Sequence, residues 1–223
     1  MMDLTVKDIP QSQGREYIVE NHYTGGCGVA SMIWGLFDGD EMVGAIAYQT
    51  PISENVRKAI FGSDDCWCDE VDGGSHGFHQ HVTELHRLVT DDDLHETATS
   101  WFISQSLDRL KQYKPKYWAV ISHADMTEGH DGTVYQATNA IYTGVADGSV
   151  YYRTPDGQLK PPRDCGENIS HEQAKKRGWN IEHRDGKHRY LFLLPNGKRH
   201  RRWMVNNLQY KQKPYPNPST EKV

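Results

Sequence analysis

An α/β (α+β) fold, a sheet flanked by helices and followed by a basic C-terminal extension, is what this chain predicts, and three observations carry the prediction. Short apolar runs with β-branched content alternate with segments of helical periodicity. Between Tyr117 and Gly144 one such run passes straight into a polar, aromatic-rich segment, a junction of the kind whose side chains open into a cleft. Charge is divided by position: residues 1–152 hold 9 Lys+Arg against 23 Asp+Glu, a net −14, whereas residues 153–223 hold 16 against 7, a net +9. At 223 residues the chain is long enough for one sizeable core with appendages.

The elements follow in order. Arg15 to Asn21 reads as a short helix that ends at His22, Tyr23 and the Gly25-Gly26 turn. From Ile33 to Thr50 two apolar runs flank Asp38-Gly39-Asp40, a β-hairpin pattern. Residues 52–82 read as a long loop. Val82 to Val89 alternates as a strand, which places Leu85 and Arg87 on one face and Leu88 on the other. Thr90 is a candidate N-cap for a helix that runs to Tyr113 with Trp101, Ile103, Leu107 and Leu110 on its apolar side, closed by Lys114-Pro115.

Trp118 to Ile121 is the next strand, and Ser122, His123 and Asp125 follow where it leaves the core. After the turn signals Gly129 and Gly132, Val134, Ala137, Ala140 and Ile141 recur at helical spacing, and Tyr135, Asn139 and Tyr142 form a second stripe turned to the junction. A strand at Val150 to Arg153, a Pro-rich basic insertion over 154–188, a strand at Arg189 to Pro195 and the Asn196-Gly197 turn complete a domain over 1–195, with a basic tail over 196–223.

No run of about 18 apolar residues is present to span a membrane. The first residues lack the basic-then-apolar pattern of a secretory signal. A cytoplasmic protein is expected, and its 4 cysteines are too few for a disulfide framework. The tail sequence GKRHRRWMVNNLQYKQK sets Lys198, Arg199, Arg201, Arg202, Lys211 and Lys213 around Trp203 and Tyr210, residue types suited to phosphate contacts and base stacking; a solvated basic tail is the other reading.

Several residue sets could carry chemistry. Arg87, on a strand, either pairs with a carboxylate structurally or reaches a cleft. Asp125 sits where active-site carboxylates occur in α/β folds, although capping of the following segment explains it equally well. Cys66 and Cys68 with His76, His79 and His81 have zinc-binding side chains, but the C-x-C and histidine spacings are tighter than those of standard fingers, so a Cys/His loop without metal is the stronger reading.

ELHRLV (Glu84 to Val89), ISHAD (Ile121 to Asp125), GHDGTVYQATN (Gly129 to Asn139) and YTG (Tyr142 to Gly144) together resemble the bacteriophage Mom family of DNA-modification proteins, over roughly residues 15–195. The resemblance implies a fold like that of GNAT acyltransferases, a mixed central sheet flanked by helices. It implies transfer to the N6 amine of adenine in double-stranded DNA, giving an N6-carbamoylmethyladenine type of product that protects phage DNA from host restriction in the bacterial cytoplasm. It also implies functional roles for Arg87, Ser100, Asp125 and Tyr135, and iron (Fe²⁺) held by His22 and Asp125 with a further donor from water, Tyr23, His123 or substrate. Tyr23, Ser122, Asn139 and Tyr142 are expected to contact the substrate. In GNAT enzymes the turn after the Val82 strand holds the pyrophosphate of acetyl-CoA. Here Asp91, Asp92 and Asp93 occupy it and would repel that group, so a different small-molecule donor is expected.

Two other function classes fit part of the pattern: an N-acyltransferase for a small amine or protein, and a non-catalytic DNA-binding module on the same fold. A homodimer is compatible with the sequence and not demanded by it.

Overall fold

The computed structural model describes residues 3–51, 53–62, 78–164 and 167–216. In chain order the elements are β1 (Leu4–Asp8), α1 (Gln11–Asn21), β2 (Met32–Asp38), β3 (Glu41–Gln49), α2 (Glu54–Phe61), β4 (Val82–Thr90), α3 (Ala98–Tyr113), β5 (Ala119–Asp125), α4 (Thr133–Gln136) and β6 (Ile141–Ala146). After them come β7 (Ser149–Arg153), β8 (Leu159–Lys160), β9 (Arg163–Asp164), β10 (Glu167–Asn168), α5 (His171–Lys176), β11 (Asn180–Arg184), β12 (Lys187–Leu193) and α6 (Lys198–Asn207). Among the described residues the centre is a seven-stranded mixed sheet in the order β1-β2-β3-β4-β5-β12-β6. This is the mixed α/β architecture that the sequence leads one to expect. No helix among the described residues is long and apolar enough to cross a membrane.

Alternation along the strands divides the sheet's side chains between two faces. One face carries Trp34, Leu36, Ile46, Tyr48, Leu85, Val120, Tyr190 and Phe192, covered by Phe102, Ile103 and Leu110 of α3. The other has two separate apolar patches. Ile18 of α1 covers Ile33, Ala45 and Ala47; Ile60 and Phe61 of α2 and Met204 of α6 cover Val82, Ala119, Ile121 and Leu191. The strip between these patches is polar.

Parallel pairing of β4 with β5 runs only from Val82↔Ala119 to Leu85↔Ser122, beyond which no partners join the two strands. Their C-terminal halves, His86–Thr90 and His123–Asp125, are therefore unpaired with one another, and a cleft opens between them.

Several sequence expectations change. Helix α1 begins at Gln11, with Pro10 at the N-cap, and not at Arg15. Thr90 ends β4 and bonds the Thr99 hydroxyl at 2.9 Å, while Thr97 occupies the N-cap of α3. The acidic segment forms turns first, because Leu94 N–H and Ala98 N–H bond back to Asp91 O and His95 O. Trp101, placed on the apolar side, is partly exposed. The helix expected over Val134–Ile141 is one turn long. Asn139, at φ 58°, reverses the backbone into the left-handed region that Asn tolerates, and Ile141, Thr143 and Val145 then alternate as β6.

The 52–82 segment contains α2 and a 3-10 turn over Phe78–His81. Cys66, Cys68, His76 and the His79 side chain lie outside the described residues. His81 is buried, its Nδ1 2.6 Å from Lys116 O and its ring stacked on Trp118 at 3.8 Å.

The insertion is a folded unit. β7 pairs β8 and β11 in a three-stranded sheet, away from the main sheet the sequence order suggested for Val150–Arg153. Tyr152, Ile169 and Ala174 make its small core, and a capping box between Ser170 and Gln173 starts α5. The tail, within the described residues, likewise packs against the fold. Met204 of α6 is fully buried, which is worth ~1.5–3 kcal/mol for a side chain of this size. Farther on, Lys213 N–H bonds Tyr142 O at 2.8 Å and the Tyr215 hydroxyl bonds Ala140 O at 2.8 Å.

Candidate active site

The polar strip between the two apolar patches is the floor of the cleft. Gln49 of β3 and Glu84 of β4 face each other in register and share a hydrogen bond of 3.1 Å. His123 Nδ1 lies 3.5 Å from the other Glu84 oxygen. Strand β12 continues the strip, because Arg189 pairs with His123 and Lys187 with Asp125.

A β-bulge brings His86 and Arg87 there together. Ala47 pairs with Arg87 and Tyr48 with Leu85, so His86 is an extra residue and strict alternation fails at this point. Arg87 therefore lies across the sheet from Leu85 and Leu88, which both pack on the α3 side. The expectation that Leu85 and Arg87 share a face is corrected by that one inserted residue. Arg87 Nε donates to Gly26 O at 2.8 Å and its terminal nitrogen to His86 O at 2.8 Å, which anchors the guanidinium beneath the loop after α1.

That loop supplies the rim. Tyr23 stacks on His22 at 4.4 Å, meets His130 edge-on at 5.7 Å and donates its hydroxyl to Asp125 Oδ2 at 3.3 Å. The residue is 47% exposed, so a planar ligand can reach it. Asp125 is only 3% exposed. Lys187 Nζ at 2.8 Å and an Arg184 nitrogen at 3.3 Å compensate Oδ2, and Thr127 N–H caps Oδ1 at 3.1 Å. The capping reading of Asp125 is thus realised alongside its place in the cleft. Arg184 also contacts Glu128 at 2.5 Å and Glu182 at 3.4 Å and lies over the Tyr151 ring.

These surroundings set the protonation states. Burial, then Arg87 and the other nearby cationic groups, pushes the His22 imidazole down to about 3. Burial and Arg87 push His86 down to about 4. Both rings are neutral near pH 7. Burial opposes ionisation of Asp125, but the Lys187 bond and the Lys187 and Arg184 charges outweigh it and hold the carboxyl below its usual range. Burial raises the Tyr23 hydroxyl above its ordinary value, and the Asp125 charge adds to that.

Tyr23, Arg87 and Asp125 are thus gathered with His22 on one face. Ser122 and Tyr135 belong to the opposite face, where they meet each other at the point where β4 and β5 part. Ser122 is fully buried, its hydroxyl 3.3 Å from Leu85 O, and it hydrogen-bonds the Tyr135 hydroxyl, whose own ionisation burial suppresses. Ser100 bonds Thr97 O at 3.0 Å within α3, the helix-serine alternative. Tyr142 lies in the core with its hydroxyl 2.9 Å from His188 Nδ1, because its segment is a strand and not a helix. Asn139 is exposed and serves the turn.

On the tail, Lys198, Arg199, Arg201 and Arg202 are exposed, whereas Trp203 packs toward Phe61, Trp118 and His200. His200, Trp203, Met204 and Asn207 share a helical face, which turns the tryptophan inward.

Glu84, His86, Arg184, Lys187 and Arg189 were not singled out from sequence as site residues. The alternating basic pattern of Lys187-His188-Arg189 was a usable signal for the last two. Arg184 had none, since Asp125 and Glu128, which draw it to the cleft, lie far away in sequence.

The implied iron pair can be tested against this geometry. His22 and Asp125 meet through Tyr23, yet no group of three or more His, Cys, Asp and Glu side chains gathers among the described residues. Asp125 already carries two cationic partners, and His22 Nδ1 accepts Thr24 N–H at 3.2 Å. In this arrangement the side chains do not fit a resident iron ion.

Residues 3–217 match the Mom protein family. The chain is similar to methylcarbamoylase mom of Escherichia phage Mu, with 26% identity over 190 residues, 82% of this chain and 70% of that protein. It is also similar to the solved spermidine N-acetyltransferase from Vibrio cholerae in complex with CoA and spermine, at TM-score 0.47 and 9% identity, over 86% of this chain and 95% of that one. An N-acetyltransferase from Staphylococcus aureus gives TM-score 0.43 and 8% identity over 86% of this chain and 97% of the other. Because the family match runs from the first strand through the tail helix and takes in every cleft side chain described above, the chain belongs to the Mom protein family.

Proposed function

We propose that this protein is a phage DNA-modification enzyme that converts adenine in DNA to an N6-modified form of the N6-carbamoylmethyl type, shielding the DNA from host restriction. The observation that carries the reading is the family match over residues 3–217, which spans the cleft that holds Tyr23, Arg87 and Asp125 on one face.

Chemical requirements of the reaction agree with the residues present. The adenine N6 lone pair is delocalised into the ring, so the amine must be oriented and lose its proton as the new bond forms. The exposed Tyr23 ring offers a stacking surface for a flipped base, which offsets part of the few kcal/mol that flipping costs. Arg87, fixed by two carbonyl oxygens, is positioned to stabilise negative charge on the donor. Asp125 is a weak base while Lys187 and Arg184 compensate it. Its role in this reading is to hold Tyr23 and Lys187 in place.

The donor differs from acetyl-CoA. Asp91, Asp92 and Asp93 lie ahead of α3, and Asp91 is tied to the Tyr17 hydroxyl, so negative charge is fixed where a pyrophosphate would need donors. DNA phosphates are expected on Lys198, Arg199, Arg201 and Arg202.

Mass analysis of nucleosides from DNA of cells expressing the protein tests the reading. A modified deoxyadenosine that disappears with Arg87→Ala is expected; unmodified deoxyadenosine throughout would overturn it.

A further inference from the structure

Most of this chain repels DNA, with a net −14 over residues 1–152. Residues 187–216 are the opposite: eight Lys or Arg and no Asp or Glu. The fold lays part of that acid-free run along the cleft-side surface of β12 and β6. Lys187 and Arg189 point to the same face as Asp125 and His123. The Arg189 guanidinium lies 3.7 Å over the Tyr210 ring and is held by the Thr143 hydroxyl at 2.9 Å and the Thr143 carbonyl at 3.3 Å. From Tyr210 the chain continues to Lys211 and Lys213, both exposed. Lys213 is fixed by its backbone bond to Tyr142 and passes across Gly144, where a Cβ would come 2.7 Å from its Nζ. Glycine at this position, at φ 99°, leaves room for the lysine.

We infer that Arg189, Tyr210, Lys211 and Lys213 form a track that guides a DNA strand into the cleft, ending at Lys187. Phosphates lie on Arg189, Lys211 and Lys213. Because ring stacking holds Arg189 and a backbone bond holds Lys213, little ordering of these two is needed when the strand docks. The inference rests on the adenine-in-DNA reading for why a strand must enter the cleft, but its test needs binding only.

The experiment compares two variants of identical charge change in the full chain. Lys211→Glu with Lys213→Glu alters the track; Lys175→Glu with Lys176→Glu alters exposed residues of α5. Binding of a labelled adenine-containing duplex DNA oligonucleotide is followed by fluorescence anisotropy over a range of salt. The track variant is expected to lose affinity at least about ten-fold and to flatten the log–log salt slope by roughly 1.8, two contacts at about 0.9 each; the α5 variant stays within about two-fold. Lys211→Gln with Lys213→Gln, which keeps much of each side-chain stem, gives the same ordering if charge at these positions is the cause, and thermal unfolding of all three reports intact folding.

Equal losses from the two charge-reversed pairs, or no loss from the track pair, would overturn the track. Preferential capture of a sequence-matched RNA would overturn its assignment to DNA. Unmodified adenine in expressing cells, with the difference between the pairs intact, would sink the modification reading and leave the track standing.

Discussion

Arg184 buries its guanidinium 3.3 Å from the Asp125 carboxylate, across 59 residues of sequence. It is the bolt between the inserted sheet and the cleft floor, since the same side chain also contacts Glu128 and Glu182. Removing it leaves three carboxylates facing one another with only Lys187 and Arg153 in compensation. Arg184→Met is therefore expected to destabilise the fold by about 1–3 kcal/mol, the cost of removing charge-assisted bonds from carboxylates that keep part of their compensation, as read from urea unfolding. A loss below about 1 kcal/mol would mean that the network is solvent-compensated.

Stability should fall with acid in a specific window. An unfolded histidine titrates near 6.5, whereas burial and Arg87 hold His86 at about 4. Between those values the unfolded chain takes up a proton that the folded chain refuses, so this contribution is complete above about 6.5 and is lost as pH falls toward 4. Its slope is at most about 1.4 kcal/mol per pH unit. Urea midpoints measured from pH 7.5 to 4.5 should decline, and His86→Gln should flatten the decline. Asp125, whose carboxyl is held low, adds a further loss only below the ordinary carboxylate range, from about 3.9 down to its lowered folded value.

Gly132 sits at φ 79° against the Tyr190 ring, which a Cβ would meet. Gly132→Ala is expected to cost roughly 1–3 kcal/mol from overpacking, with left-handed strain in addition. Because α4 starts there, the change should also shift Tyr135 relative to Ser122. Thermal unfolding and modification activity are expected to fall together; an unchanged melting point would show that Tyr190 yields freely.

The tail helix should separate stability from binding. Trp203→Ala opens the core shared with Phe61 and Trp118 and is expected to cost about 3–5 kcal/mol. Arg201→Ala with Arg202→Ala should leave stability within about 0.5 kcal/mol and weaken DNA binding. Denaturant titration beside anisotropy distinguishes the two effects.

An iron ion at His22 and Asp125 would have to displace Lys187 from Oδ2. Lys187→Met is expected to bind added Fe²⁺ more tightly than the unaltered protein, measured anaerobically by calorimetry, with Asp125→Asn abolishing the gain. Equal affinity in all three would show that the ion does not use this carboxylate.

Much of the architecture was legible in the chain itself. The Ile33–Thr50 hairpin and the strand at Val82 follow from alternation and turn residues, and the apolar run Trp118–Ile121 marks the start of β5, which runs on to Asp125 where the sequence suggested it had already left the core. What alternation cannot show is a single inserted residue. The bulge at His86 reverses the face of Arg87, and with it the membership of the site. Short elements failed for a related reason: apolar residues at 134, 137, 140 and 141 satisfy helical spacing whether or not Asn139 turns the backbone. Contacts such as Arg184 to Asp125 leave no local trace.

The C-terminal segment also covers part of an outer border of the sheet. β6 is the last strand of the sheet, and its outer backbone would otherwise present open hydrogen-bonding positions. Lys213 bonds Tyr142 O and Tyr215 bonds Ala140 O, so the run after α6 seals part of that border with a lysine and prolines close by. A chain shortened before Leu208 would expose this border to strand-to-strand pairing and to aggregation. Any natural self-association through main-chain pairing along it would first require the segment to peel away.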